Sequence, residues 1–340
     1  MGAVTLRVET TRWRAHLRRV ADTSPGLVPV AKGNGYGFGL GRLAVEAEQL
    51  GVGTLAVGVA AEVAAVHDQF GGDIVIMTPF RPGDPLALKL AADPRIITTV
   101  SRLDDLTLLA GAAGSPRVVV EVLTTMRRHG IAVDDLPAVP DLLPGLTFEG
   151  WTIHLPIAGN QAPEAAALVR ASQAAAPGPS WLSHLPADRA RQLGVDVRLR
   201  IGTKLWLGDP ASLRTTATVL DVHRVRRGEH AGYRLRRVSH DGWLVVVAGG
   251  TANGIALSAP TAAAGPRQRA LAVISGGLEA SGRSLSPYTI AGKKRWFLEP
   301  PHMQVSLVLL PDPVTPPAVG DEIEVQVRNT TALFDQIVDA

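Results

Sequence analysis

Between residues 27 and 202, short apolar runs recur eight times, at 27–32, 54–59, 73–79, 95–100, 117–123, 146–155, 181–185 and 196–202. Runs of this length read as buried strands, and most intervening stretches carry Ala/Leu-rich helical spacing, as in Leu40–Leu50 and Ala60–His67. Eight strands joined by crossovers of that size predict an α/β fold, a (β/α)8 TIM-like barrel rather than an open sheet. The glycine-rich stretch Gly33–Gly41 does not redirect the reading to a dinucleotide fold, because no G-x-G-x-x-G can be drawn through it.

After Leu207-Gly208-Asp209-Pro210 the texture changes. Val219–Val222, Tyr233–Val238, Trp243–Val247, Leu271–Ile274, Val305–Leu309 and Ile323–Val327 read as strands separated by Gly, Pro and Asp turns, without helices between them. Pro311–Pro317 is a proline-rich loop within that region. The expected organisation is a barrel over 9–210 and an all-β C-terminal domain over 211–340, which also takes the N-terminal strand 1–8.

In such a barrel the working residues gather at the C-terminal ends of the strands. Lys32 ends the first run, Glu121 lies near the end of the fifth with Arg127 and Arg128 just beyond, and His154 closes the sixth. Ser183 and His184 close the seventh; Arg200, Gly202 and Thr203 close the eighth. Lys32 stands out because the chain has only five lysines among its 34 Lys and Arg. An amine at the end of a buried strand is partly desolvated, which disfavours the ammonium and frees the nitrogen to attack a carbonyl. The chain has no cysteine, which excludes disulfides, thiolate metal ligands and a cysteine nucleophile, and no metal is expected. A net charge of +3 without aromatics interleaved among basic residues points away from nucleic acid. No apolar run approaches the length of a membrane span, and Arg7, Glu9, Arg12 and Arg14 interrupt any signal-peptide core. Leu6 occupies the position where a myristoylation signal needs Ser or Thr, so the expected location is the cytoplasm.

Lys32-Gly33-Asn34-Gly35-Tyr36-Gly37-Phe38-Gly39 resembles the lysine–tyrosine motif of the alanine racemases, Lys-Ala-Asn-Ala-Tyr-Gly-His-Gly, with Phe38 in place of histidine. Thr124–Gly130 resembles their Thr-Gly-Met-His-Arg-Leu-Gly, Glu149–His154 the segment bearing their active-site histidine, and Arg200–Gly208 their Arg-Pro-Gly-Ile segment. Gly228-Glu229-His230-Ala231-Gly232-Tyr233 is similar to the segment carrying their second catalytic base. The resemblance implies pyridoxal 5′-phosphate held as a Schiff base on Lys32 and surrounded by Tyr36, Arg128, His154, Ser183, Arg200, Gly202 and Thr203. It further implies a two-base racemase or epimerase using Lys32 and Tyr233, a D-amino acid product of the kind built into cell walls, and a homodimer whose sites take Tyr233 from the partner. An arginine facing the pyridine nitrogen stays charged and donates a hydrogen bond, which favours proton exchange over decarboxylation.

The resemblance fails where the racemases bind the substrate carboxylate. Their Met-Asp pair falls near Glu299-Pro300-Pro301-His302-Met303-Gln304, and proline has no N–H to donate. Gly250-Thr251-Ala252-Asn253-Gly254 lacks the tyrosine of Gly-Tyr-Ala-Asp-Gly, and their Asn-Ser pair becomes Ser183-His184. Glu121 stands where many racemases carry a carbamylated lysine, and is expected to hold Arg128 in a bidentate pair. The expected substrate is an amino acid or amino-acid-bearing molecule, with the substrate site altered. Another pyridoxal phosphate reaction, or a non-catalytic cofactor-binding or partner-binding role, stays open at this point.

Overall fold

The computed structural model describes residues 3–112, 114–257, 265 and 284–340. It divides into two compact units, one of Arg14–Gly208 and one of Met1–Trp13 with Asp209–Ala340. Strand β1 (Val4–Val8) belongs to the second. Helix α1 (Thr10–Thr23) precedes the barrel strands, which are β2 (Val28–Ala31), β3 (Thr54–Val57), β4 (Asp73–Ile76), β5 (Ile96–Val100), β6 (Arg117–Val122), β7 (Thr147–His154), β8 (Ser180–Ser183) and β9 (Val197–Ile201). They pair in sequence order, all parallel, and the barrel closes where Val28 of β2 lies against Arg200 of β9. Such strands are buried on both faces and therefore read as near-continuous apolar runs.

Among the described residues, five α-helices lie in the crossovers: α2 (Leu40–Gln49), α3 (Pro85–Leu90), α4 (Leu103–Ala110), α5 (Ala162–Ala175) and α6 (Ala187–Arg191). Helix α3 shows how locally their starts are encoded. Asp84 accepts from the amides of Leu86 at 3.0 Å and Ala87 at 3.1 Å, and Pro85 takes the first position, where an N–H would be unpaired anyway. Two crossovers differ from the expected helical pattern. Ala60–Ala65 winds as a 3-10 turn because Glu62 folds back onto the amides before it, and the β6–β7 connection has only 3-10 turns, where Pro137 and Pro140 deny helical hydrogen bonds.

The barrel interior fixes which residues face inward. Val28, Val30, Ala56, Val75, Ile97, Val119 and Trp181 form one apolar cluster, with Met77 packed on it. Alternation along each strand then puts Lys32 on the inner face after Val28 and Val30, Glu121 after Val119, and Ser183 after Trp181. Register carries the same face to Thr152 and His154, since Thr152 lies opposite Trp181, and to Arg198 and Arg200. The Arg198 guanidinium sits 4.6 Å from the centre of a Trp181 ring.

The second unit continues after α7 (Thr203–Trp206) with β10 (Leu213–Val225), β11 (His230–Ala231), β12 (Arg236–Arg237), β13 (Gly242–Ala248), β14 (Leu285–Ile290), β15 (Lys293–Phe297), β16 (Val305–Pro311), β17 (Glu322–Val325) and β18 (Gln336–Asp339). The long β10 pairs with β17 through Thr216–Thr218 and with β13 from Val219 onward, so hydrogen bonding passes from β10 through β13, β16, β15, β14 and β17 back to β10. Strand β1 lies antiparallel to β10 and parallel to β18. The core between these strands includes Val4, Val245, Phe297, Leu310 and Tyr288, whose hydroxyl donates to the Gly249 carbonyl at 2.9 Å. The expected strand Tyr233–Val238 is not formed: only Arg236–Arg237 pairs, with His230–Ala231, and Tyr233 lies in the turn between them. The expected strand Leu271–Ile274 falls outside the described residues.

Candidate active site

Lys32 follows β2 directly and opens at the barrel rim. Desolvation by the surrounding rim lowers its ammonium below the ordinary lysine value, and the charges of Arg128 and Arg200 act the same way against the opposing pull of Glu62. The loop that carries Lys32 is tied down by that same Glu62. Its carboxylate accepts from the Gly33 amide at 2.6 Å, the Gly58 amide at 2.6 Å and the Val59 amide at 3.2 Å. Sequence reasoning missed Glu62; its only signal is a lone carboxylate in an Ala/Val turn just after the second barrel strand.

Tyr36 is buried at a backbone φ of 55°, and burial raises its phenol to about 12, so it stays protonated. Its hydroxyl lies against the Gly202 backbone, in the space a side chain there would fill. Gly202 leads into the short helix α7, whose Trp206 indole donates to the Val30 carbonyl of β2 at 2.8 Å. Thr203 is exposed beside it. The structure thus brings Tyr36 and Gly202 together, from the first and last strand ends.

His154, at the end of β7, shares a 2.8 Å hydrogen bond between its Nδ1 and Ser183 Oγ, and its ring meets that of His184 edge-on at 5.2 Å. Burial, then the charges of Arg200, Arg128, His184 and Lys32, lower His154 to about 3, so the imidazole is neutral at any working pH. His184 is lowered for the same reasons, and sits at φ 60°. With Arg127 at φ 51°, three non-glycine residues of this rim hold left-handed backbones, which surrounding structure must enforce. A pH consequence follows for His154. Between about pH 6.5 and 3 the unfolded chain takes up a proton that the folded site refuses, so folding stability falls as pH drops through that window. The acid-side decline in melting temperature should be shallower in His154→Gln, followed by calorimetry; equal slopes would remove His154 as a cause.

Arg200 is buried, and that burial lowers it to about 10, still charged at neutrality. Its Nη2 reaches the Ile153 carbonyl at 3.4 Å, while its Nε has no hydrogen-bond partner among the described residues. Glu121 Oε2 and Thr152 Oγ1, also buried on the inner face, have none either. The expected bidentate pair of Glu121 with Arg128 is not formed: among the described residues no hydrogen bond or ion pair joins them. Glu121 is buried on its strand and Arg128 stands on the exposed loop beyond. Burial raises the Glu121 carboxyl, and the charge that most opposes this is Arg200, ahead of Arg128. Arg128 still acts on the rim through its charge, which reaches Lys32, His154 and Arg200.

Tyr233 belongs to the second unit and is 86% exposed. Its turn is held by Glu299, a buried carboxylate that sequence reasoning noticed only as part of a disrupted motif. Glu299 Oε1 accepts from the Tyr233 amide at 2.8 Å and Oε2 from the Arg234 amide at 3.0 Å. His302 Nε2 donates to Oε1 at 2.7 Å.

A closed parallel barrel that gathers Lys32, Arg128, His154 and the buried Arg200 at one rim is the architecture in which C-terminal strand ends carry the working residues. Residues 8–181, just over half of the chain, match the family described as alanine racemase, N-terminal domain, and the chain belongs to the alanine racemase family. A curated alanine racemase of Nitratidesulfovibrio vulgaris (strain DSM 19637 / Miyazaki F) is 32% identical over 152 residues, which span 41% of this chain and 38% of that enzyme. The chain therefore matches less than half the length of that relative. Among solved structures, the alanine racemase of Bartonella henselae, with covalently bound pyridoxal phosphate, superposes with a TM-score of 0.75 at 17% identity, covering 99% of both chains. That of E. faecalis gives 0.73 at 17% identity over 99% of this chain and 98% of its own. That of D-cycloserine-producing Streptomyces lavendulae gives 0.72 at 19% identity over 100% and 97%. At these identities the likeness is one of fold.

Proposed function

We propose that this protein is a pyridoxal 5′-phosphate-dependent amino-acid racemase or epimerase that works in the cytoplasm as a homodimer. What carries the reading is the convergence of Lys32, Arg128, His154 and Arg200 at one barrel rim, with Lys32 depressed by its surroundings. The residues fit the cofactor. Arg200 Nε is a buried donor with no partner among the described residues, and Tyr36 with Gly202 offers a hydroxyl beside side-chain-free backbone, as a phosphate requires. On this reading Lys32 holds the cofactor covalently, Arg200 meets its ring nitrogen, and Tyr36, Ser183, Gly202 and Thr203 receive its phosphate, with Arg128 and His154 alongside. Bound there, the cofactor supplies the electron sink that makes a Cα proton removable.

Arg200 is a donor only, so it holds a ring nitrogen without protonating it and favours proton exchange over decarboxylation. Lys32 and Tyr233 serve as the two bases. The barrel, residues 9–210, binds the cofactor, and residues 211–340 with strand 1–8 present Tyr233. The 86% exposure of Tyr233 supports its service to a second copy of the chain. Pro300 and Pro301 offer no amide to a substrate carboxylate, so the substrate class is an amino acid rather than alanine in particular.

The direct test is Cα–H exchange of single L- and D-amino acids in D2O, followed by NMR. Exchange coupled to inversion is expected for at least one amino acid; inert enantiomers across the set would sink the enzymatic reading. The shared site has its own test. Equal mixing of Lys32→Ala with Tyr233→Phe, each inactive alone, should restore roughly a quarter of wild-type activity by random assortment of dimers. Mixtures that stay inactive would show that each chain uses its own Tyr233.

A further inference from the structure

The turn bearing Tyr233 is served by a buried group of its own. Glu299 is 3% exposed and follows the buried end of β15, where the Leu298 amide donates to the Leu307 carbonyl at 2.9 Å. Burial pushes its carboxyl up, yet hydrogen bonds from His302 and from the Arg234 and Tyr233 amides outweigh this and leave it below the ordinary carboxylate range. An ionised carboxylate is costly to bury unless its lone pairs are used. Here all three donors belong to one device: two successive amides of an exposed turn, and an imidazole. That imidazole packs against the phenol, with the Tyr233 and His302 ring centres 4.5 Å apart and the planes tilted 51°.

The backbone is arranged to keep these groups in place. Gly232 sits at φ +80°, and any side chain there would run into the Glu299 carboxylate. Pro300 and Pro301 fix the chain between Glu299 and His302, and His302 is anchored at both ends: its amide donates to the Val305 carbonyl and its carbonyl accepts from the Thr251 amide, each at 2.9 Å. A catalytic phenol would draw on such an anchor, because a base must be held within about 0.5 Å of its working position.

We infer that Glu299 and His302 are positioning residues for Tyr233: Glu299 sets the turn backbone and His302 braces the phenol ring. The inference rests on the proposed function, since it needs Tyr233 to act as one of two bases. Glu299-Pro300-Pro301-His302, the segment that lacks a carboxylate-binding pair, then serves as a support for the base.

The test compares wild type, Glu299→Gln, His302→Ala and Gly232→Ala in two measurements. The first is made on the unliganded full chain, with its three tyrosines ring-labelled for NMR. The Tyr233 signals should shift toward those of a mobile ring without its imidazole neighbour, while those of Tyr36 and Tyr288 stay in place. The second is kinetic. Enantiomer interconversion should fall about 10- to 100-fold in kcat with KM within about threefold, while Cα–H exchange of one enantiomer, served by Lys32, persists. Added to Tyr233→Phe, Glu299→Gln should cause no further loss, because nothing remains to position. Unmoved Tyr233 signals, equal loss of exchange for both enantiomers, or losses that add to Tyr233→Phe would overturn the inference while leaving the racemase reading intact. A wild type that exchanges neither enantiomer would sink that reading first, and this inference with it.

Discussion

Lys32→Ala should give a folded protein that stays colourless after incubation with pyridoxal 5′-phosphate and turns over at least about 10^3-fold more slowly than wild type. Lys32 is the lysine at the rim, and its surroundings lower its affinity for a proton. Alanine there removes no barrel packing, since the side chain opens at the mouth, so the melting temperature should hold. Borohydride treatment of the reconstituted wild type, followed by peptide mapping, should place the cofactor on Lys32 and on none of the other four lysines. A wild type that never colours would remove the cofactor from the account altogether.

Gly202→Ala should be nearly as damaging, from the end of the last barrel strand. The added methyl would occupy the place of the Tyr36 hydroxyl, 2.9 Å from Cζ of the ring and 3.4 Å from Val30 Cβ. Tyr36 cannot simply swing aside, because it is buried and held at φ 55°. Overpacking of this kind costs about 1–3 kcal/mol. The cofactor should be held at least about tenfold more weakly, measured by its release on dialysis, if the hydroxyl and the Gly202 backbone receive the phosphate together. Removing the hydroxyl in Tyr36→Phe/Gly202→Ala should recover part of the stability but not the affinity. Unchanged retention in Gly202→Ala would place the phosphate elsewhere.

How far these residues were legible depends on what encodes each of them. Barrel strands are continuous apolar runs because both faces are buried, so β2 to β9 stand out in the sequence, and Lys32 is marked as the polar residue that ends one. Alternation from Val119 and Trp181 carries Glu121 and Ser183 inward without further information. The second unit was less readable. Strand β15 is Lys293–Phe297, with two lysines and an arginine, and β14 contains Pro287; neither has the alternation that betrays an edge or half-buried strand. Tyr233–Val238 has strand composition, yet Gly232 and Glu299 bend it into a turn, an effect set by a carboxylate 66 residues away. Glu121 misled because a motif position says which group is present but not which cation lies nearest once the strand is buried.

Glu62 reaches further than the lysine it steadies. Barrel enzymes diversify largely because each loop at the working face can change without disturbing its neighbours. Here one carboxylate ties the loop after the first strand to the loop after the second, accepting amides from Gly33, Gly58 and Val59. Those two loops are in effect a single inherited part. A graft that exchanges either one alone would shift Lys32 even if every residue around it were kept, so redesign of this rim has to start by moving both.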